Sequence, residues 1–275
     1  MHLTPGLMAT GPMLHTSGMS VERGDRTVLN AVDFELSVGE VVALTGENGS
    51  GKTTMLEACA GILPLSEGAV NRKSDSGKMQ VVRDYEGRRN RPPPTGLTLQ
   101  RDGICGEETV EERFEVALRV AGRELSEPTT SDILRDWGLE HRRADRVAQL
   151  SGGQRRRLAV LCGLAPAALS TESRVVFLDE PSEGLDRAGK ELLIGWLRAL
   201  AEHGHAVMVA THDQAVIDCC DREMEVTNGA LNESSGNSEG TPSDLPSPLP
   251  STEQSTHRAL IRWAIKMETR NPMDT

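Results

Sequence analysis

Val41-Val42-Ala43-Leu44 is an unbroken apolar run. It leads at once into Gly46-Glu47-Asn48-Gly49-Ser50-Gly51-Lys52-Thr53-Thr54, and then into a helix-like stretch to about Ala60. Such a run is the pattern of a strand buried on both faces. The turn fits G-x-x-x-x-G-K-S/T in the context that gives the motif its meaning, after a buried strand and at the opening of a helix. Glycines let successive N–H groups point inward around a phosphate, and the helix N-terminus adds a favourable dipole. Lys52 is placed to reach β and γ phosphates, and the Thr53 hydroxyl to bind Mg²⁺. Only five of the 30 basic residues are lysines, so abundance does not explain this one. An ordinary glycine-rich turn accounts for the glycines alone, not for strand, helix and Lys-Thr together.

The rest of the chain repeats the strand-then-helix pattern. Val175-Val176-Phe177-Leu178 and Ala206-Val207-Met208-Val209-Ala210 read as core strands, with an amphipathic helix from Lys190 to Ala201 between them. This alternation predicts an α/β fold with a parallel sheet covered on both faces. Ahead of the glycine-rich turn, Thr27-Val28-Leu29 and the alternating Val32 to Leu36 read as short strands. Residues 72–96 are polar and Arg-rich, carry Pro92-Pro93-Pro94, and read as loop or irregular β. Helices are predicted over Glu108–Val120, Ser131–Trp137 and Gly153–Leu164. Residues 1–17 form an N-terminal extension without period. Residues 231–256 are rich in Ser, Pro, Glu and Gly and read as a disordered linker. Residues 257–275 can form a short basic amphipathic helix, with Arg258, Arg262 and Lys266 on one stripe and Leu260, Trp263 and Met267 on another. Packing back on its own domain, or staying disordered until something binds, is favoured there over docking on lipid or a partner.

Composition excludes several classes. At 275 residues, one or two domains are expected. A net charge of −11 and only seven aromatic side chains argue against a nucleic-acid binder. Five cysteines without regular spacing make neither a disulfide framework nor a zinc site. Cys219-Cys220 and His203/His205 read as structural. The longest apolar run, Leu158 to Leu169, is broken by Gly163 and Pro166 and falls short of the ~18 residues a spanning helix needs. The first 20 residues lack the pattern of a signal peptide, so a soluble chain is expected. Arg155-Arg156-Arg157 reads as a charged helix face paired with local acids.

Two further motifs carry chemistry. The strand ending at Leu178 delivers Asp179, suited to a Mg²⁺ site, and Glu180, suited to polarising a water as general base. Leu150-Ser151-Gly152-Gly153-Gln154 opens a helix with a hydroxyl and free N–H groups, a second phosphate-binding end. Alone, it would read as a plain serine cap.

The P-loop, the LSGGQ segment, the strand with Asp179-Glu180, and Thr211-His212-Asp213 occur in that order. Together they resemble the nucleotide-binding subunit of ATP-binding cassette (ABC) proteins, over roughly residues 18–230. The resemblance implies a P-loop NTPase core of ABC ATPase type, with an N-terminal antiparallel β part and an inserted helical subdomain at about 101–160. It implies ATP and Mg²⁺ as ligands. Gly46 to Thr54 then match the Walker A loop, Asp179 the metal-site aspartate, Glu180 the catalytic glutamate and His212 the switch histidine. Gln100 matches the Q-loop glutamine at the metal and γ-phosphate, and Ser182 to Asp186 the D-loop, with Asp186 expected among the nucleotide-binding residues. In this family two subunits close head to tail, each ATP lying between one P-loop and the other subunit's Ser151-Gly152-Gly153-Gln154 segment. The implied partners are a second ATPase subunit, with a homodimer favoured, and a separate multi-spanning membrane subunit. No nucleic-acid partner is implied, and the location is cytoplasmic, on the membrane face through that partner. The alternative is a soluble ABC ATPase that remodels a cytosolic complex, such as one that assembles metal clusters. One departure stands out: Ser20-Val21-Glu22-Arg23-Gly24 carries no ring where the family stacks one on adenine, leaving the Arg23 guanidinium as the candidate.

Overall fold

A computed structural model describes residues 11–90, 95–99, 106–120, 122 and 127–234. Gln100, the linker beyond residue 234 and the 257–275 segment lie outside the described residues. Six strands form the central sheet: β3 (Val41–Thr45), β6 (Gly96–Thr98), β7 (Val175–Asp179), β8 (Ala206–Ala210), β9 (Arg222–Thr227) and β10 (Ala230–Glu233), in the order β10-β9-β3-β8-β7-β6. All neighbours pair in parallel except β9 and β10 at one edge. The apolar runs explain why the sheet can be buried. Val176, Leu178, Val207 and Val209 point into one core, and Val175, Phe177, Ala206, Met208 and Ala210 into the other. A strand that feeds two cores has no polar face to alternate with, which is why these segments read as continuous runs.

One face is covered by α2 (Val110–Val120), α3 (Glu127–Asp136), α4 (Gly152–Ala168) and α5 (Arg187–Glu202). Trp137 at the end of α3 meets Trp196 on α5 edge to face, with ring centroids 5.5 Å apart. The other face holds α1 (Lys52–Cys59) and a four-stranded antiparallel sheet. That sheet has β1 (Pro12–Arg23), β2 (Arg26–Ser37), β4 (Glu67–Lys73) and β5 (Met79–Asp84) in the order β2-β1-β4-β5. A short helix α6 (Gln214–Ile217) follows β8.

Two expectations change, and a third is made specific. The short strands before β3 are one strand, β2, kinked where Ala31 takes a φ of +48°. β1 pairs from Pro12 onward, so residues 12–17 belong to the sheet rather than to an extension. The polar stretch after residue 72, expected as loop or irregular β, contains a strand, β5, which pairs with β4 from Lys73↔Met79 to Ala69↔Asp84 with a register shift between Asn71↔Val81 and Val70↔Arg83. Its charged residues hid it, because only Val82 and Asp84 along it are buried. Among the described residues, no helix is long and apolar enough to cross a membrane.

β6 and α4 approach unusually closely. A Cβ on Gly96 would lie 2.0 Å from the Gly163 carbonyl oxygen, and one on Gly163 would lie 2.0 Å from Thr98 Oγ1. Thr98 Oγ1 also donates to the Ala159 carbonyl at 3.3 Å. The helix that begins with the LSGGQ segment is thereby fastened to the strand leading to Gln100.

Candidate nucleotide site

The C-terminal ends of the parallel strands form one edge of the sheet, the usual place for a ligand in such folds. β3 ends in the glycine-rich turn there, β7 in Asp179-Glu180, and β8 in Thr211-His212. The turn depends on glycine. Gly46, Gly49 and Gly51 have φ of +129°, +80° and +119°, and a Cβ on Gly46 would lie 2.5 Å from the Val226 carbonyl oxygen. Gly51 occupies the N-cap of α1 and supplies no side-chain acceptor, so the first-turn N–H groups keep their donors for an anion. Lys52 folds back over the turn, donating to the Gly46 carbonyl at 2.7 Å and the Glu47 carbonyl at 3.1 Å. Ser50 Oγ is buried without a hydrogen-bond partner. Glycine cradle, orphaned hydroxyl, open helix end and buried ammonium together fit a polyphosphate. Glu47, Asn48 and Gly49 form the exposed crest of the turn, and Thr54 is buried behind it.

Thr53 Oγ1 donates to Asp179 Oδ2 at 2.7 Å, joining α1 to the end of β7 across 126 residues of sequence. A hydroxyl and a carboxylate so placed are the oxygen donors that a hard divalent cation takes. Among the described residues, no group of three or more His, Cys, Asp or Glu is arranged to hold a metal by itself.

Glu180 is buried, at 6% exposure, and its backbone is left-handed, with φ +46°. Its N–H is held by the Ala210 carbonyl at 2.8 Å. His212 Nδ1 lies 2.9 Å from Glu180 Oε2, while the imidazole itself is largely exposed. The next residue, Asp213, accepts from Lys190 Nζ at 2.5 Å and from the Ala215 N–H at 3.1 Å. The lysine contact holds its carboxyl below the ordinary range, with a smaller contribution from Ser182.

Ser151 caps α4: its Oγ accepts from the Gln154 N–H at 3.3 Å, and Gln154 Oε1 accepts from the Ser151 N–H at 3.1 Å. Ser151 and Gly152 are exposed. α4 packs on α2, α5, β6 and β7, whereas α1 packs on β1, β2, β7 and β8. The structure thus brings Lys52, Thr53, Asp179, Glu180 and His212 to one sheet edge and leaves the 151–154 segment facing outward. Asp186 serves as the N-cap of α5, accepting from the Gly189 N–H at 2.9 Å and from Arg157 Nη2 at 2.6 Å. Those contacts, the Gly189 N–H first, lower its pKa.

The chain matches the ABC transporter family over residues 29–183. It belongs to that family. Among curated relatives, an Fe(3+) ions import ATP-binding protein from Streptomyces avermitilis is 34% identical, over 81% of this chain and 62% of that protein. A lipoprotein-releasing system ATP-binding protein from Bacteroides fragilis is 29% identical, over 80% of this chain and 100% of that protein. A putative ABC transporter ATP-binding protein from Methanosarcina acetivorans is 30% identical, and this chain spans 42% of its length. The chain therefore spans between two fifths and the whole of these relatives. A solved ATP-binding subunit of an ABC transporter superimposes with a TM-score of 0.66 at 25% identity, over 80% of this chain and 88% of that one. A dimeric bacterial ABC transporter cassette gives a TM-score of 0.65 at 24% identity, over 80% and 96%. The fold is that of an ABC ATPase cassette, a P-loop α/β core.

One reading of the sequence needs correction, and it concerns this ABC cassette's arginine run. Arg156 is not part of a solvated face. It is 4% exposed, and its guanidinium donates to the carbonyls of Leu99, Asp179 and Glu180. The helical period carried the signal, because 156, 160, 163 and 167 share one face of α4 and the other three are small or apolar.

Proposed function

We propose that the chain is the ATP-hydrolysing subunit of an ABC transporter, driven by head-to-tail closure of two copies around ATP. The observation that carries this reading is the joining of Thr53 to Asp179 at 2.7 Å beside a buried Glu180 in reach of His212. In this reading the P-loop N–H groups and Lys52 bind the triphosphate. Lys52 leaves its two carbonyl partners for phosphate oxygens, a stronger charge-assisted contact. Thr53 and Asp179, with Gln100, would hold Mg²⁺, which offsets charge on the β and γ phosphates. Glu180 accepts a proton from the attacking water. His212, exposed at the edge with Nδ1 2.9 Å from Glu180 Oε2, turns toward the γ-phosphate. Ser151 and Gly152 are exposed at the capped start of α4, with Gly153 and Gln154 half-buried behind them, and in this reading the four residues bind the γ-phosphate of a partner copy. Asp186 then acts at the subunit contact through its cap and Arg157 rather than on the nucleotide.

The names of relatives, an iron-import ATP-binding protein and a lipoprotein-releasing system ATP-binding protein, support a role in transport. The alternative, a soluble ATPase that remodels a cytosolic complex, separates from it in one experiment. Tagged Glu180→Gln protein is captured from its native cells with ATP and Mg²⁺ in mild detergent, and its companions are identified by mass spectrometry. A stoichiometric multi-spanning protein is expected. A soluble partner in its place would shift the assignment to the remodelling ATPase.

A further inference from the structure

Glu180 sits in a backbone conformation that costs a non-glycine residue strain. Something must hold it there. Its N–H bond to Ala210 fixes one side. The other side is held from α4. Arg156 Nη2 donates to the Asp179 carbonyl at 2.8 Å and to the Glu180 carbonyl at 2.5 Å, and Nη1 donates to the Leu99 carbonyl at 3.1 Å. Successive carbonyls of an extended strand point in opposite directions, so one nitrogen cannot donate to both there. Here both converge on a single Nη2, and the turn at Glu180, with φ +46°, is what allows it. Clamp and strained residue are thus two halves of one arrangement. The same helix opens with Ser151 five residues earlier and is fastened to β6 by the Gly96–Gly163 contact.

We propose that Arg156 is a positioning residue for ATP hydrolysis, which sets the Glu180 carboxylate by holding its backbone left-handed. The proposal rests on the reading of Glu180 as the general base. A guanidinium suits the role because its planar fork offers fixed donors to several carbonyls at once. An ammonium, a single point of charge, reproduces it only in part. A displacement of about 1 Å at a catalytic group can cost 10²-fold in rate.

The test is a double-mutant cycle on the full chain. Arg156→Gln and Arg156→Lys are made alone and with Glu180→Gln. Single-turnover hydrolysis and ATP affinity are measured, with thermal melting to show that each variant is folded. Arg156→Gln is expected to slow hydrolysis at least tenfold while ATP affinity stays within twofold, and Arg156→Lys to recover part of the rate. In the Glu180→Gln background neither change should slow hydrolysis by more than twofold, because the group being positioned is gone. A further tenfold loss in that background, or a normal rate for a folded Arg156→Gln or Arg156→Lys variant, would overturn the proposal. Near-normal turnover of Glu180→Gln by itself would instead sink the general-base reading. Should Arg156→Gln not fold, the Arg156→Lys arm of the cycle decides by the same criteria.

Discussion

Replacing Gly96 with alanine adds one methyl where β6 meets α4. That Cβ would stand 2.0 Å from the Gly163 carbonyl oxygen and 3.1 Å from Val176 Cγ1, where ordinary contact starts at 3.4 Å. The carbonyl belongs to the backbone of a 17-residue helix and cannot rotate away. Strand and helix must part, which strains the β6–β7 pairing and the Thr98–Ala159 hydrogen bond. Overpacking of this kind costs about 1–3 kcal/mol. The reduced freedom of the unfolded chain returns about 0.4–1 kcal/mol. The steric cost wins, and a net loss of about 1–2 kcal/mol is expected. Gly195→Ala on α5 is the control, since nothing lies within 4 Å of its added Cβ. There the helix propensity of alanine is unopposed, and a gain of about 0.5–1 kcal/mol is expected. Urea unfolding followed by circular dichroism gives both numbers. Gly96→Ala should lower the midpoint and Gly195→Ala should raise it, with similar slopes. A Gly96→Ala protein as stable as the unmodified chain would refute the claim that α4 and β6 are locked together.

His205 is buried, and its Nδ1 accepts from the Arg174 N–H at 3.1 Å. Burial pushes its pKa down to about 4 from 6.5, so the folded state holds it neutral. The stability from this group is complete above pH 6.5 and is lost as pH falls toward 4, reaching about 3 kcal/mol. Unfolding free energies at pH 7.5 and 4.5 should therefore differ less in His205→Asn than in the unmodified chain, and equal differences would refute the assignment. Trp137 is fully buried against Trp196. Trp137→Ala should cost about 3–5 kcal/mol in urea unfolding, and a loss below ~1 kcal/mol would mean that the helical layer closes over the gap.

Much of the site was legible because its chemistry is local in sequence. The turn from Gly46 to Thr54 carries its own conformational demands, and the apolar runs before it and before Asp179 mark strands buried on both faces. The cap at Ser151 shows in the Ser-to-Gln spacing. What was not legible depends on contacts between distant segments. Gly96 and Gly163 are unremarkable until β6 and α4 are laid together. Arg156 carries a charge, and residue type suggested solvent, while its helical phase pointed to the interior. β5 is polar on its exposed positions because it packs on one side only, and its pairing with β4 is what makes it a strand. Lys190 and Asp213 lie 23 residues apart, and their ion pair follows from the packing of α5 beside the end of β8.

The most direct test of the shared site is to mix two inactive subunits. Lys52→Ala removes the P-loop cation and Ser151→Arg blocks the outward-facing helix end. Each variant alone should hydrolyse ATP at a small fraction of the normal rate. At equal concentrations, random pairing makes about a quarter of the composite sites whole. Hydrolysis should then rise above the sum of the separate variants, to at most about that fraction. A mixture no more active than its components, or a Ser151→Arg protein with full activity alone, would contradict the composite site.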